Sequence, residues 1–201
     1  MVTDFAQVDG SKSGEAPCCS ICGNATGLMP LLPPVRVELK TWGTSCGDIA
    51  WGPCNELLFS DRFMEMYQSH GLIGLINIVP AEVVKIRTRR KLRNPIPSYY
   101  CCRAKQSRAA IDDVRSGIER DGHCTCDECR LGGILKRMKR VILEADSWSG
   151  EDIFYARGLP GTILVSEKFS DLCREYKISN CQLIPAEEFS FDLYPWEKAN
   201  R

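Results

Sequence analysis

Apolar and polar residues alternate over Val35, Val37 and Leu39, a period of two that predicts a strand with one buried face. The apolar run Leu57, Leu58 and Phe59 predicts a second strand. Ser60 follows where a helix N-cap belongs, with Asp61 in the first turn. Phe63, Met66, Tyr67 and His70 then recur at i, i+3, i+4 and i+7, the stripe of a core-facing helix. Gly71 suits a left-handed stop to that helix, and residues 75–79 predict a closing strand before Pro80-Ala81-Glu82.

The same succession runs a second time. Val141 and Leu143 alternate, residues 162–165 supply the apolar run, and Ser166 and Glu167 take the cap and first turn. Phe169, Leu172, Cys173 and Tyr176 make the stripe, and residues 181–184 predict the closing strand before Pro185-Ala186-Glu187. Matching positions keep their order at nearly constant offsets. The offset is 107 for Cys19/Cys126 and Cys22/Cys129, and 106 for Val35/Val141, Glu38/Glu144, Trp42/Trp148 and Ser60/Ser166. It is 105 for Pro80/Pro185 and 104 for Asp48/Asp152. Ordered matches of informative residue types predict a tandem duplication.

The expected fold is therefore α+β: half-repeats at residues 18–90 and 124–195, each with strands and one amphipathic helix, related by a pseudo-twofold axis. A flexible leader (residues 1–17), a connector (91–123) and a C-terminal tail (196–201) complete the plan. The basic residues 85–93 lead into the connector, and Asn94-Pro95-Ile96-Pro97-Ser98 breaks regular structure. Residues 107–120 read as a helix with Ile111, Val114 and Ile118 on one face.

Twelve cysteines add chemistry to this picture. The N-terminus lacks the basic-then-apolar pattern of a secretory signal, so a reducing, cytoplasmic setting is expected rather than a disulfide framework. There, clustered cysteines read as metal ligands and scattered ones as small buried hydrophobes. Cys19-Ser20-Ile21-Cys22-Gly23 fits a zinc knuckle: two thiolates on a tight turn, with glycine free to aim backbone amides at sulfur. Cys126-Asp127-Glu128-Cys129 has the same ligand spacing, with Arg130 where glycine is expected.

Two such pairs at equivalent places can close on one structural Zn2+ held by Cys19, Cys22, Cys126 and Cys129, although 103 residues separate Cys22 from Cys126. Four thiolates leave no open position for an activated water, so the site reads as structural. A ligand switch to Cys18, Cys124 or His123, an iron–sulfur centre and a redox dithiol are the other readings of these clusters. Neither pair opens a helix after a strand, which argues against a thioredoxin-type role.

Charge and motif content narrow the function classes. Lys plus Arg equals Asp plus Glu at 26 each, so no global field draws the chain to nucleic acid or an anionic membrane. No apolar run approaches the length of a membrane span. No nucleophile-elbow, zinc-protease, P-loop or dinucleotide motif occurs, and no catalytic residue is expected. His70 lies on a predicted apolar face, and Glu82 and Glu187 suit strand ends or ion pairs with a nearby arginine. The basic residues 85–93, with 136–140 as a second cluster, could touch phosphates. Zero net charge favours a solvated loop instead, and an acidic protein surface is an equal fit.

Cys19-Ser20-Ile21-Cys22-Gly23, the second pair Cys126/Cys129, the stretch from Gly158-Leu159-Pro160-Gly161-Thr162 to Phe169, and the closing Leu183-Ile184-Pro185-Ala186-Glu187-Glu188-Phe189 together resemble the double-CxxCG-motif family of bacterial immunity proteins. The resemblance spans most of the chain and is carried by short motifs, with Arg130 departing from the second glycine. It implies a small cytoplasmic protein that binds and neutralises the cognate toxin of a contact-dependent or polymorphic toxin system. Such a role asks for a rigid surface with a few anchors. Exposed members of Trp42, Trp51, Trp148, Tyr99, Tyr100 and Trp196 are candidates, with the repeat-matched Trp42 and Trp148 reading as core. The alternative function is a zinc-dependent nucleic-acid-binding or regulatory protein using residues 85–93.

Overall fold

The structure, a computed structural model, describes residues 3–7, 12–52 and 56–193. In chain order the elements are β1 (Thr3–Gln7), β2 (Lys12–Ser13), β3 (Leu31–Leu32), β4 (Val35–Thr41), β5 (Ile49–Trp51), β6 (Leu57–Ser60), α1 (Asp61–Ser69), β7 (Leu75–Thr88), β8 (Tyr99–Ala110), α2 (Asp113–Ser116), β9 (Glu119–Asp121), β10 (Ile134–Met138), β11 (Ile153–Arg157), β12 (Ile163–Val165), α3 (Glu167–Glu175) and β13 (Phe191–Asp192). The fold is α+β, with a large mixed sheet and three helices among the described residues.

The main sheet runs β12-β11-β8-β6-β5-β1-β4-β7, and a further β7–β8 pairing closes its last six strands into a ring. Alternation builds the ring. Val35, Val37 and Leu39 of β4 are at most 3% exposed, while Arg36, Glu38 and Lys40 point away from that core. They pack with Phe5, Leu58 and Tyr99 as one apolar cluster. Each such side chain contributes about 1.5–3 kcal/mol by leaving water. Neighbours in register, Ile49, Leu57 and Phe59, pack instead against the helices. All four residues of β6 are therefore buried, which explains why its sequence is a continuous apolar run.

The helices start where their caps dictate. Ser60 Oγ accepts the Phe63 N–H and Ser166 Oγ accepts the Phe169 N–H, both at 3.1 Å. Each cap hydroxyl donates to an aspartate before the preceding hairpin: Ser60 to Asp48 Oδ1 at 2.9 Å, Ser166 to Asp152 Oδ1 at 2.7 Å. The second carboxylate oxygen crosses to the other unit. Asp48 Oδ2 accepts the Ser179 N–H at 2.8 Å, and Asp152 Oδ2 accepts the Ile73 N–H at 2.9 Å. Arg62 donates to the Tyr176 and Lys177 carbonyls beyond α3, and Lys168 donates to the His70 carbonyl beyond α1. Phe63 and Phe169 meet with ring centroids 5.9 Å apart, and His70 Nε2 lies 2.8 Å from the Tyr176 hydroxyl. Two β-hairpin-and-helix units thus grip one another by reciprocal contacts.

Other expectations are corrected. Residues 3–7 are β1, paired with β4 and β5 with Thr3 and Phe5 buried, where a flexible leader was expected. Residues 107–120 form no single helix: β8 runs through Ala110, and only the four residues of α2 are helical before Gly117 turns left-handed at φ 62°. The helical spacing of Ile111 and Val114 is fortuitous, since Ile111 is fully buried while Val114 is 90% exposed. Because β8 pairs with β6, β7 and β11, residues 91–123 supply a strand of the main sheet rather than a simple connector. Val141 and Leu143 form no strand; Leu143 makes one isolated bridge to Ile111, and both join a third core with Met138 and Phe154. Residues 181–184 form no strand, whereas β7 extends to Thr88 and takes up Lys85 and Arg87 of the basic run. Residues 196–201, with Trp196, lie outside the described residues.

Candidate metal centre

Each cysteine pair sits at the tip of a short ribbon. The first lies between β2 and β3, which pair antiparallel, and the second between β9 and β10, which also pair antiparallel. In the first tip, Cys18 bridges Ala25 and the Gly23 N–H donates to the Cys19 carbonyl at 2.9 Å. In the second, the Arg130 N–H donates to the Cys126 carbonyl at the same distance. Both turns need a left-handed residue, Gly23 at φ 75° and Arg130 at φ 55°. Arg130 adopts it with its guanidinium tied to Glu144 Oε1 at 2.6 Å and to the Ile111 carbonyl. The base of the second ribbon is tighter still. A Cβ on Gly133, at φ 63°, would lie 2.0 Å from the Asp121 carbonyl oxygen, so only glycine fits there.

The two tips meet. Cys19 Sγ lies 3.8 Å from Cys126 Sγ, Cys22 Sγ lies 3.6 Å from Cys129 Sγ, and all four sulfurs are within 4.8 Å of one another. A disulfide requires about 2.05 Å, so these contacts are not bonds. A tetrahedron of thiolates 2.3 Å from a zinc ion has edges of about 3.8 Å, the spacing seen. Clusters with several irons between the thiolates need a wider opening. Cys19, Cys126 and Cys129 are buried with Leu131 packed beside them, and Cys22 is exposed.

The sulfurs' surroundings are compatible with a bound cation. Amide N–H groups of Cys22 and Ile21 bring the Cys19 thiol down to about 7, whereas burial pushes Cys129 up to about 12. Two thiolates 3.8 Å apart repel by about 4 kcal/mol at an effective dielectric of about 20. Four of them are compatible only around a positive ion, and binding one would release their protons. The other cysteines of the two clusters turn away: Cys18 donates to the Ala16 carbonyl and Cys124 to the Cys126 carbonyl. Neither they nor His123 join the group of converging ligand atoms among the described residues.

Sequence reasoning missed what anchors the first ribbon. Glu56, 1% exposed, pairs with Arg103 Nε at 3.1 Å, accepts from the Cys101 thiol at 3.6 Å and takes the backbone N–H of Leu31 in β3. Desolvation pushes its carboxyl up and Arg103 opposes this. Nothing in the string before Leu57 marks an acid for burial. Glu82 pairs with Arg36 at 3.3 Å on the surface. Lys85 and Arg87 of the basic run both pair with Glu38. Tyr99 is 2% exposed, whereas Trp42, Trp51 and Trp148 are 44–46% exposed, so the two repeat-matched tryptophans are not core.

No protein-family model matches the chain, and no curated protein matches it. Among the described residues no helix is long and apolar enough to cross a membrane.

Proposed function

We propose that the chain is a zinc-stabilised immunity protein, in which Cys19, Cys22, Cys126 and Cys129 hold one structural Zn2+ and the body they tie together neutralises a cognate bacterial toxin in the cytoplasm. The observation that carries the metal is the convergence of four sulfurs, contributed by ribbons 107 residues apart, within 4.8 Å. A metal there joins the two halves of the chain as well as the two tips. Tandem duplication belongs to the same reading. Cys19 touches Cys126, Cys22 touches Cys129, Phe63 touches Phe169 and His70 touches Tyr176, at offsets of 106 or 107. A residue that touches its own counterpart must lie near the axis relating the copies, so these contacts support a pseudo-twofold axis running past the metal.

The toxin-binding role rests on the resemblance to the double-CxxCG-motif family and on a surface suited to a partner. Trp42 stands exposed with Lys40 4.5 Å and Arg89 5.2 Å from its ring centroid. An aromatic flanked by cations is the kind of anchor that dominates binding energy at interfaces. Metal analysis of the purified protein should find about one zinc per chain. Co-expression with the toxin encoded beside its gene should restore growth and allow the two to co-purify. A neighbouring gene encoding no toxin, with expression that protects against nothing, ends the immunity reading.

A second reading has its own observation. Arg89, Arg90, Lys91 and Arg93 make no ion pair among the described residues, and they follow β7 directly into a loop held by the Arg93 N–H on the Thr44 carbonyl. Arg89 on the Trp42 ring, followed by three cations that make no ion pair among the described residues, suits a nucleic-acid backbone. A salt-dependent gel shift abolished by Arg89→Glu with Arg90→Glu would support it, and no shift at low salt removes it.

A further inference from the structure

The five described cysteines outside the metal centre and its flanks fall into two kinds. Cys101 and Cys102 are successive residues of β8, so they face opposite sides of the sheet and pack in different cores. Desolvation raises both thiols, Cys102 to about 12, and neither faces water. Cys46 stands by itself. Cys173 and Cys181 differ from these three. They line one open cleft of ≈ 290 Å³ together with Ser170, Arg174, Lys177 and Leu183. Cys173 projects from α3 at 5% exposure, and Cys181 is half-buried in the loop beyond it and packs against the same core cluster.

We propose that Cys173 and Cys181 are a redox-sensitive dithiol, a modification site at which a hydroperoxide closes a disulfide across the end of α3. The roles follow from exposure and acidity. Interaction between the two thiols lowers Cys181 and raises Cys173, so Cys181, the more acidic and the more exposed, is the attacking sulfur and Cys173 the resolving one. Arg174 in the cleft lining is paired with Asp171 at 2.8 Å, whereas Lys177 beside it makes no ion pair among the described residues and adds positive charge. Cys181 attacks one peroxide oxygen and the O–O bond breaks. The departing hydroxide takes a proton to become water, leaving a sulfenic acid on Cys181. Cys173 then attacks that sulfur and expels hydroxide, which takes the Cys173 proton. Two thiols and one hydrogen peroxide become one disulfide and two waters.

The bond would have a structural effect. It encloses residues 174–180, and of these Tyr176, Lys177 and Ser179 are gripped by the first unit, through Arg62 on the Tyr176 and Lys177 carbonyls and Asp48 on the Ser179 N–H. Asn180 completes the grip by donating to the Thr3 and Ile49 carbonyls. Closing the ring fixes this segment, so oxidation tightens the junction between the units.

The full chain is treated with hydrogen peroxide, its remaining thiols are alkylated, and its peptides are read by mass spectrometry. The Cys173–Cys181 crosslink is expected as the first disulfide, with an upward shift in Tm reversed by dithiothreitol. Cys173→Ser should leave a sulfenic acid at Cys181 that a sulfenate-specific reagent captures, and Cys181→Ser should abolish both products. Wild-type protein in which both thiols stay open to alkylation while other cysteines oxidise overturns the proposal, with no variant needed. So does a Cys173→Ser protein that shows no sulfenate at Cys181.

Discussion

The unit β5-β6-α1 and its counterpart β11-β12-α3 share their local chemistry and differ in their surroundings. Both cap a helix with serine, and both hook that serine to an aspartate that reaches across to the other unit. Yet β6 lies inside the ring with every residue buried, while β12 is the edge strand with every residue half-exposed. Tyr67 fills the space behind α1 and its hydroxyl accepts the Leu75 N–H at 2.9 Å; at the matching place behind α3 stands the smaller Cys173, beside a cleft. Gly71 makes the left-handed stop of α1 at φ 60°, and Lys177 makes that of α3 at φ 51°. Capping chemistry is carried by a few side chains within one turn of the chain. Burial belongs to whatever packs alongside, and there the two units diverge.

The sharpest way to break the comparison is at the four clustered cysteines, where the proposed zinc would bind. Cys22→Ser and Cys129→Ser each leave three thiolates, and about 10–16 kcal/mol of apparent zinc-binding free energy is at stake. Both variants should lose stoichiometric metal and melt far below the parent, by metal analysis and thermal denaturation. A large loss from one ribbon and none from the other would show that the ribbons are unequal. At the junction, Phe63→Ala and Phe169→Ala should each lower stability by about 3–5 kcal/mol in denaturant melts. Because their rings touch, the double variant should cost less than the sum.

Acid should loosen the Asp48 hook. Desolvation disfavours its charge, but Arg62, Ser179 and Ser60 outweigh that and hold its carboxyl down at about 2, from an ordinary value of 3.8. A depressed acid contributes stability that is fully present above its ordinary value and disappears as pH falls through about 2. The contribution is about 2 kcal/mol, and Asp48→Asn should flatten that limb of a stability-against-pH curve. Removing a cap should cost less: Ser166→Ala about 1 kcal/mol, and Ser60→Ala somewhat more because its hydroxyl is fully buried. The smallest effect should be a gain. Lys177→Gly relieves a left-handed lysine, offset by glycine's extra chain entropy, for about 0.5 kcal/mol by chemical denaturation.

Both long helices were legible because their signals are local: Ser60 and Ser166 mark their starts, and the stripes that follow recur every turn. The four metal-site cysteines were legible for the same reason, since CxxC puts two sulfurs on one turn whatever the rest of the chain does. The second strand pattern misled. Val141 and Leu143 alternate because they pack against Met138 and Phe154 from a coil, and alternation records burial of every second residue without recording a hydrogen-bonded neighbour. β1 escaped notice because five residues with two buried side chains carry too little pattern to separate a sheet strand from a leader.

By itself the sequence determined what short-range chemistry can determine: where the two long helices begin, which faces they bury, and which cysteines stand in pairs. Tertiary structure decided the rest. It closed β7 onto β8, drew residues 3–7 into the ring, buried Glu56 under the first ribbon and brought sulfurs 107 residues apart to within 4 Å. Each of these depends on partners far off in the chain, and a local pattern records that a residue will be buried without saying what will cover it.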